Sequence, residues 1–228
     1  MDREIRRSLS WPLVLAFAGL SLFVFACGSG GDVSQRGGHG GETTAIQGEE
    51  LPTIELPSLW DWGIAERLGT LTGSADVVFK GNVVALKGQR AALSRAGGVE
   101  LGAPAPRWAD FPISQFEVRV ESVASGNLTP GGAVTFEQAG GVQTRHDGTR
   151  VRLMLEGDHP IQVGATYLFF GSVQEDGSIE APPFGRMEVQ ADGSLAAEAS
   201  WAHLGALAQL SRMRVGDAER EVSAAADE

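Results

Sequence analysis

The sequence predicts a mainly β fold: a small closed or partly open antiparallel barrel, with a short helix before it and a C-terminal helix packed on it. Three observations carry this. Short segments that alternate apolar and polar residues recur from residue 75 to about residue 189, at the period of half-buried strands. The 31 Gly and 10 Pro suit short strands joined by turns better than a helix bundle. Asp147-Gly148, Asp176-Gly177 and Asp192-Gly193 are turn signals, the last two fitting hairpin connections. A chain of 228 residues with a 43% hydrophobic share accommodates one such domain plus appendages.

The chain opens on a basic stretch with Arg3, Arg6 and Arg7. An apolar run follows from Trp11 to Ala26. This is the layout of an export signal, and the run lies at the short limit for a spanning helix. Residues 1–26 are therefore expected to act as a signal peptide for the general secretory route. The run ends in Val24-Phe25-Ala26-Cys27, followed by Gly28, and Cys27 is the only cysteine of the chain. This segment resembles the lipobox of bacterial lipoproteins, in which the thiol receives a diacylglyceryl group and the peptide is cut before the Cys. The resemblance implies lipidation at Cys27 and an anchor in the cell membrane, or in an outer membrane if one exists. Val24 and Ala26 also satisfy ordinary signal cleavage after Ala26, and an uncleaved anchor is the third outcome. One acyl chain holds a protein only marginally, whereas two or more make a lasting anchor.

A formal charge of -11 argues against nucleic acid as a partner, because phosphate recognition needs a Lys/Arg-rich face. Anionic headgroups repel such a chain as a whole, so membrane attachment must come from the lipid. With one thiol no internal disulfide is available, and the domain must be held by its core.

Residues 27–57 read as the lipidated Cys followed by a disordered tether, Gly-rich around His39 and lacking apolar periodicity. Thirty residues of flexible coil span roughly 30 Å. The β-barrel domain with its flanking helices is expected over 58–215. Ser58 can cap a short first helix, with Asp61 three residues on and Trp60, Ile64, Leu68 and Leu71 on one face, Gly69 being its stop. Trp62 lies on another face and is a candidate contact residue.

Asp76 to Val84 forms the first barrel strand, with Gly81 placed for a bend. Phe116, Val118 and Val120 alternate cleanly toward a core, as do Val134 and Phe136, and then Val151, Leu153 and Leu155. Tyr167 to Phe170 is continuously apolar, which marks a central strand covered on both faces. Met187 and Val189 lie on a further strand. About seven strands are expected in all. Between the first two, residues 87–112 read as a long loop insertion. Arg90, Arg107 and Trp108 make it the best candidate for a partner-binding loop in an acidic protein. Ser200 is placed to cap a last helix running to Arg214, with Trp201, Leu204, Leu207 and Ala208 as its apolar stripe. Residues 216–228 read as a frayed acidic tail.

The segments 75–83, 116–123 and 164–170, with Phe184-Gly185 and Asp192-Gly193, resemble a family of exported bacterial proteins. The resemblance covers about 75–196. It implies an OB-fold barrel similar to the domain of tissue inhibitors of metalloproteinases. Those inhibitors grip the protease metal through a disulfide-fixed N-terminal Cys, a device that a one-cysteine chain cannot build.

No H-E-x-x-H, G-x-S-x-G or phosphate-binding Gly-Lys-Ser/Thr loop occurs. The four His (39, 146, 159 and 203) are scattered, and the nearest approach to a metal set would be His146 and His159 with Asp147 or Asp158. No catalytic residue, metal site or cofactor is assigned. Two functions remain: a membrane-anchored, non-enzymatic binding or assembly module of the cell envelope, or an extracytoplasmic hydrolase or metal-dependent enzyme. A protein or small ligand of the envelope is the partner expected of the first, and the absence of a catalytic constellation favours it.

Overall fold

A computed structural model describes residues 51–57, 61–92 and 111–226, apart from the side chain of Trp62. Leu51–Ala92 and Asp110–Glu228 form one compact unit. Its strands are β1 (Thr53–Leu56), β2 (Val77–Ala91), β3 (Pro112–Ser125), β4 (Ala133–Thr144), β5 (Arg150–Leu155), β6 (Thr166–Val173), β7 (Ile179–Glu180), β8 (Arg186–Val189) and β9 (Leu195–Ala197). Its helices are α1 (Leu68–Ser74), α2 (Gly205–Leu210) and α3 (Val215–Ala226). The protein is mainly β, as its alternation predicts.

The strands make one sheet in the order β1-β5-β4-β3-β2-β6-β8-β9. The two-residue β7 closes part of it into a ring, pairing antiparallel with β6 and parallel with β4. β2, β3, β4, β7 and β6 thus form a barrel, and β1 and β5 extend from it on one side, β8 and β9 on the other. β2 and β3 are long enough to bend around it because their ladder is interrupted, including at Lys80/Gly81. A Cβ at Gly81 would sit 2.5 Å from Val118 Cγ1, so only glycine lets the two strands approach there.

β6 shows why a continuous apolar strand was needed. Phe169 and Tyr167 point into the barrel with Phe79, Val83, Phe116, Val118, Val120, Phe136 and Ile179. Leu168 and Phe170 point the other way, into a second cluster with Leu68, Leu71, Phe184, Met187, Trp201, Leu207, Leu210, Ala218 and Val222. The strand is buried on both faces, and period-two alternation alone sorts its side chains between two cores. The helices cover the second cluster. Trp201 meets Phe184 edge-on, with ring centroids 6.1 Å apart, and its indole N–H donates to Gly157 O at 2.6 Å.

The three Asp-Gly turns form as their sequence demands. Gly148, Gly177 and Gly193 take φ of 83°, 81° and 82°, and Asp147, Asp176 and Asp192 each accept a backbone N–H two residues on.

Several boundaries differ from expectation. The tether reading ran to residue 57, but Leu51 is buried and Thr53–Leu56 pairs with the open edge of β5. Ser58 and Trp60 lie outside the described residues. Asp61 caps a 3-10 turn over Trp62–Glu66, accepting from Gly63 N at 3.1 Å, and α1 then passes through Gly69 to Ser74. Gly69 does not stop it, because the apolar contacts of Leu68, Leu71 and α1's neighbours outweigh one glycine's propensity cost.

The expected insertion at 87–112 is shorter, since β2 and β3 stay paired out to Ala91 and Pro112. In place of one helix from Ser200 to Arg214, the chain makes α2, capped by the backbone of Leu204 with no side-chain bond, and then α3. The expected frayed tail is largely this helix. It is held by Ala218 and Val222, both buried, and by Ser223 Oγ donating to Ala124 O at 2.7 Å.

Candidate binding surface

The base of the loop between β2 and β3 is cross-braced by polar side chains. Gln89 and Arg90 sit on the last turn of β2's ladder, opposite Ser114 and Ile113. From there Ala92 N donates to Phe111 O at 2.7 Å, so the 93–110 connection leaves and returns at one point. Gln89 reaches over β3: its amide donates to Ser114 Oγ at 3.1 Å and accepts from Val142 N at 3.2 Å. Ser114 Oγ in turn donates to Gly140 O at 2.8 Å.

Arg90 makes the stronger link. Its guanidinium grips Glu137 with two parallel bonds, Nε to Oε1 at 2.8 Å and Nη2 to Oε2. Gln115 Nε2 adds a third bond to Oε1 at 2.8 Å. Glu137 is 0% exposed, and forked geometry of this kind suits a carboxylate withdrawn from water. The bond to Glu137 raises the Arg90 pKa above its ordinary value against the opposing cost of burial, with the charges of Glu137, Asp176 and Glu180 adding to it. Arg90, read from sequence as a contact residue in a loop, is thus a strand residue that fastens the loop's base to β4.

A second ion pair, buried on both sides, ties the β5–β6 connection to β8. Arg186 donates to Asp158, and the two side chains are 5% and 3% exposed. Gln138 Nε2 donates to Asp158 at 2.7 Å and to His159 O at 2.8 Å, while its carbonyl accepts from Ile161 N at 3.0 Å. His159 Nδ1 lies 2.5 Å from Glu198. Asp158 and His159 are thereby committed to the fold, and among the described residues no group of three or more His, Cys, Asp or Glu comes together to hold a metal.

Cys27, Arg107 and Trp108 lie outside the described residues, and so does the side chain of Trp62, whose backbone opens the 3-10 turn. Sequence reasoning passed over Glu137 and Arg186, and considered Asp158 only as a metal ligand beside His146 and His159. Each reads locally as an ordinary polar residue of a strand or turn, and only the fold reveals its burial. No family model matches the chain, and no curated protein matches it.

Tyr167 offers a probe of this end of the barrel. Its hydroxyl accepts from Gln162 N at 3.1 Å. Burial pushes the phenol above its ordinary 10.0, opposed by that bond, with Glu188 raising it further and Arg186 lowering it. The folded state therefore holds the proton more firmly than the unfolded chain. The associated stability is intact below pH ~10 and is lost as pH rises through the higher folded value. Tyr167 is the only tyrosine, so ultraviolet titration of the phenolate band reads it alone, and the native midpoint is expected above that of the urea-unfolded chain. Equal midpoints would show the hydroxyl in contact with water. Tyr167→Phe is expected to flatten the alkaline loss at a cost of about 1 kcal/mol at neutral pH, the worth of one hydrogen bond.

Proposed function

We propose that the chain is an exported lipoprotein, anchored to a membrane by lipid on Cys27, whose β domain acts outside the cytoplasm as a non-enzymatic binding or assembly module of the envelope. The observation that carries this reading is Val24-Phe25-Ala26-Cys27 at the end of an apolar leader, with the chain's single cysteine where acylation requires it. The fold adds support. The ring β2-β3-β4-β7-β6, closed by a parallel β4–β7 pair, has the strand order of an OB-like barrel, a scaffold that binds through its rim and loops. The Arg90–Glu137 and Arg186–Asp158 ion pairs brace that rim, fixing the points from which its loops depart. The partner on this reading is an envelope protein or a small ligand.

The experiment compares the native protein with Cys27→Ser in the cell, by fractionation, by mass of the N-terminal peptide, and by cross-linking with identification of what is captured. The native form is expected in the membrane fraction, beginning at Cys27 and carrying diacylglyceryl. The variant is expected to lose both the lipid mass and the membrane association. A native chain beginning at an unmodified Cys27 would overturn the anchor. Failure of both forms to capture a discrete partner would overturn the assembly role.

A further inference from the structure

The turn between β4 and β5 gathers three arginines, and the chain enters the domain beside it. β2 and β3 pair antiparallel, as do β3 and β4, so the end of β2, the start of β3 and the end of β4 lie together. From there β4 turns into β5, with Arg145 N donating to Thr149 O at 2.8 Å. Arg145 is exposed on this turn, and Arg150 and Arg152 follow, half-buried and two apart on one face of β5. The carboxylate inside the turn, Asp147, accepts from Thr149 N at 2.9 Å.

β1 runs parallel to β5 with Thr53 beside Arg152, and Arg152 N donates to Pro52 O at 2.9 Å. The polypeptide therefore joins the domain, at Leu51, against this cationic tip. The opposite end belongs to α3. It is seated on the far end of β3, where Ser122 Oγ bonds Glu219 and Ser223 Oγ bonds Ala124 O. It presents Asp217, Glu219 and Glu221, with Arg220 paired to Asp217.

We propose that the β4–β5 tip is a membrane-contact site, at which Arg145 and Arg152 bind the phosphates of anionic lipid headgroups. The contact sets the domain upright on the membrane, its acidic α3 end directed away. This rests on the lipoprotein reading, under which lipid on Cys27 tethers the domain to a membrane through the segment that joins it at Leu51. An acidic chain does not bind such a surface unaided. The lipid supplies the attachment, and a short linker keeps the tip at high effective concentration near the headgroups. What the arginines then decide is orientation, each contributing a factor of about five near an anionic surface. Glu49 and Glu50 precede Leu51 and, with Asp147, weaken long-range attraction. The guanidinium forks act at contact, where their geometry matches phosphate oxygens.

The single thiol allows a test that does not depend on what the cell attaches to it. The protein freed of its leader is coupled through Cys27 to maleimide-bearing vesicles. Hydrogen exchange across 145–152 is then compared on phosphatidylcholine and on an equal mixture with phosphatidylglycerol. Exchange is expected to slow on the anionic vesicles only, and to recover at high salt. Arg145→Gln is expected to weaken the protection about fivefold, and Arg145→Gln/Arg152→Gln to remove it. Equal exchange on both vesicle types, or protection that survives the double variant, overturns the proposal. Should the double variant fold poorly, Arg145→Gln decides alone, since Arg145 is an exposed turn residue. An unmodified Cys27 in the cell would overturn the anchor and leave this result standing.

Discussion

Phe169→Ala is expected to lower the stability of the domain by about 5 kcal/mol. Phe169 is fully buried and stands at the centre of the barrel's aromatic cluster. Its ring stacks on Phe79 at 5.0 Å and meets Phe136 at 4.7 Å and Tyr167 at 5.6 Å. Truncating a buried Phe costs roughly 3–5 kcal/mol through lost transfer energy and the cavity left behind, and aromatic pairs add about 0.5–1.5 kcal/mol each beyond their area. The site cannot collapse cheaply, because β6 is clamped between β2 and β8 and carries Leu168 and Phe170 into the other core. For a domain of this size the melting temperature falls by about 2–4 °C per kcal/mol. Phe169→Leu keeps most of the apolar volume and is expected to lose only about 1–2 kcal/mol, mostly the ring–ring terms. Urea unfolding followed by tryptophan fluorescence measures all three proteins. A loss under about 2 kcal/mol for the Ala variant would mean that the interior is not packed as described.

The same strand shows what was legible in the sequence. Four consecutive apolar residues, Tyr167 to Phe170, require burial on both faces, and the fold supplies two cores to receive them. Phe116, Val118 and Val120 face inward as their alternation requires, and the Asp-Gly turns fall where the side-chain chemistry puts them. β1 was hidden because its four residues sit between prolines, and their partner is β5, a strand remote in sequence. α3 was hidden because its burial rests on Ala218 and Val222 within an Ala-rich acidic stretch, a signal too thin to separate from a solvated tail. Arg214, expected to close a helix, instead donates to Asp192 O across a turn. Glu137 alternates with Phe136 and reads as an outward, solvated residue. Its burial depends on Arg90 reaching across β3, which no local pattern encodes. The cationic tip went unread in the sequence, because what singles out Arg145, Arg150 and Arg152 is that β1 brings the chain's entry beside them.

The second large effect is expected at Asp158. Asp158→Asn removes the charge that balances Arg186 and leaves a guanidinium 5% exposed without a counter-ion, which costs about 3–5 kcal/mol. Arg186 is poorly placed to absorb that loss, because its Nε and Nη1 are buried with no hydrogen-bond partner already. The same orphaned donors imply that the pair contributes little net stability relative to a neutral replacement. Arg186→Met/Asp158→Asn is therefore expected to recover to within about 1 kcal/mol of the native protein, since it deletes the charge and the unsatisfied donors together. Arg186→Met alone, which strands a carboxylate still held by Gln138 at 2.7 Å, should cost about 3 kcal/mol. A double-mutant cycle on these proteins isolates the coupling, and additive losses would show that the two side chains do not depend on each other. The neighbouring residues make the loss visible beyond stability. Gly157 O holds the Trp201 indole and His159 N donates to Glu198 at 3.2 Å, so one short connection ties the barrel to the helical layer. Releasing Asp158 should therefore loosen Trp201 before global unfolding, read as faster exchange of its indole N–H, now held by Gly157 O, that the double variant reverses. What this ion pair provides, on that account, is a fixed position for the β5–β6 connection at the barrel rim rather than net folding energy.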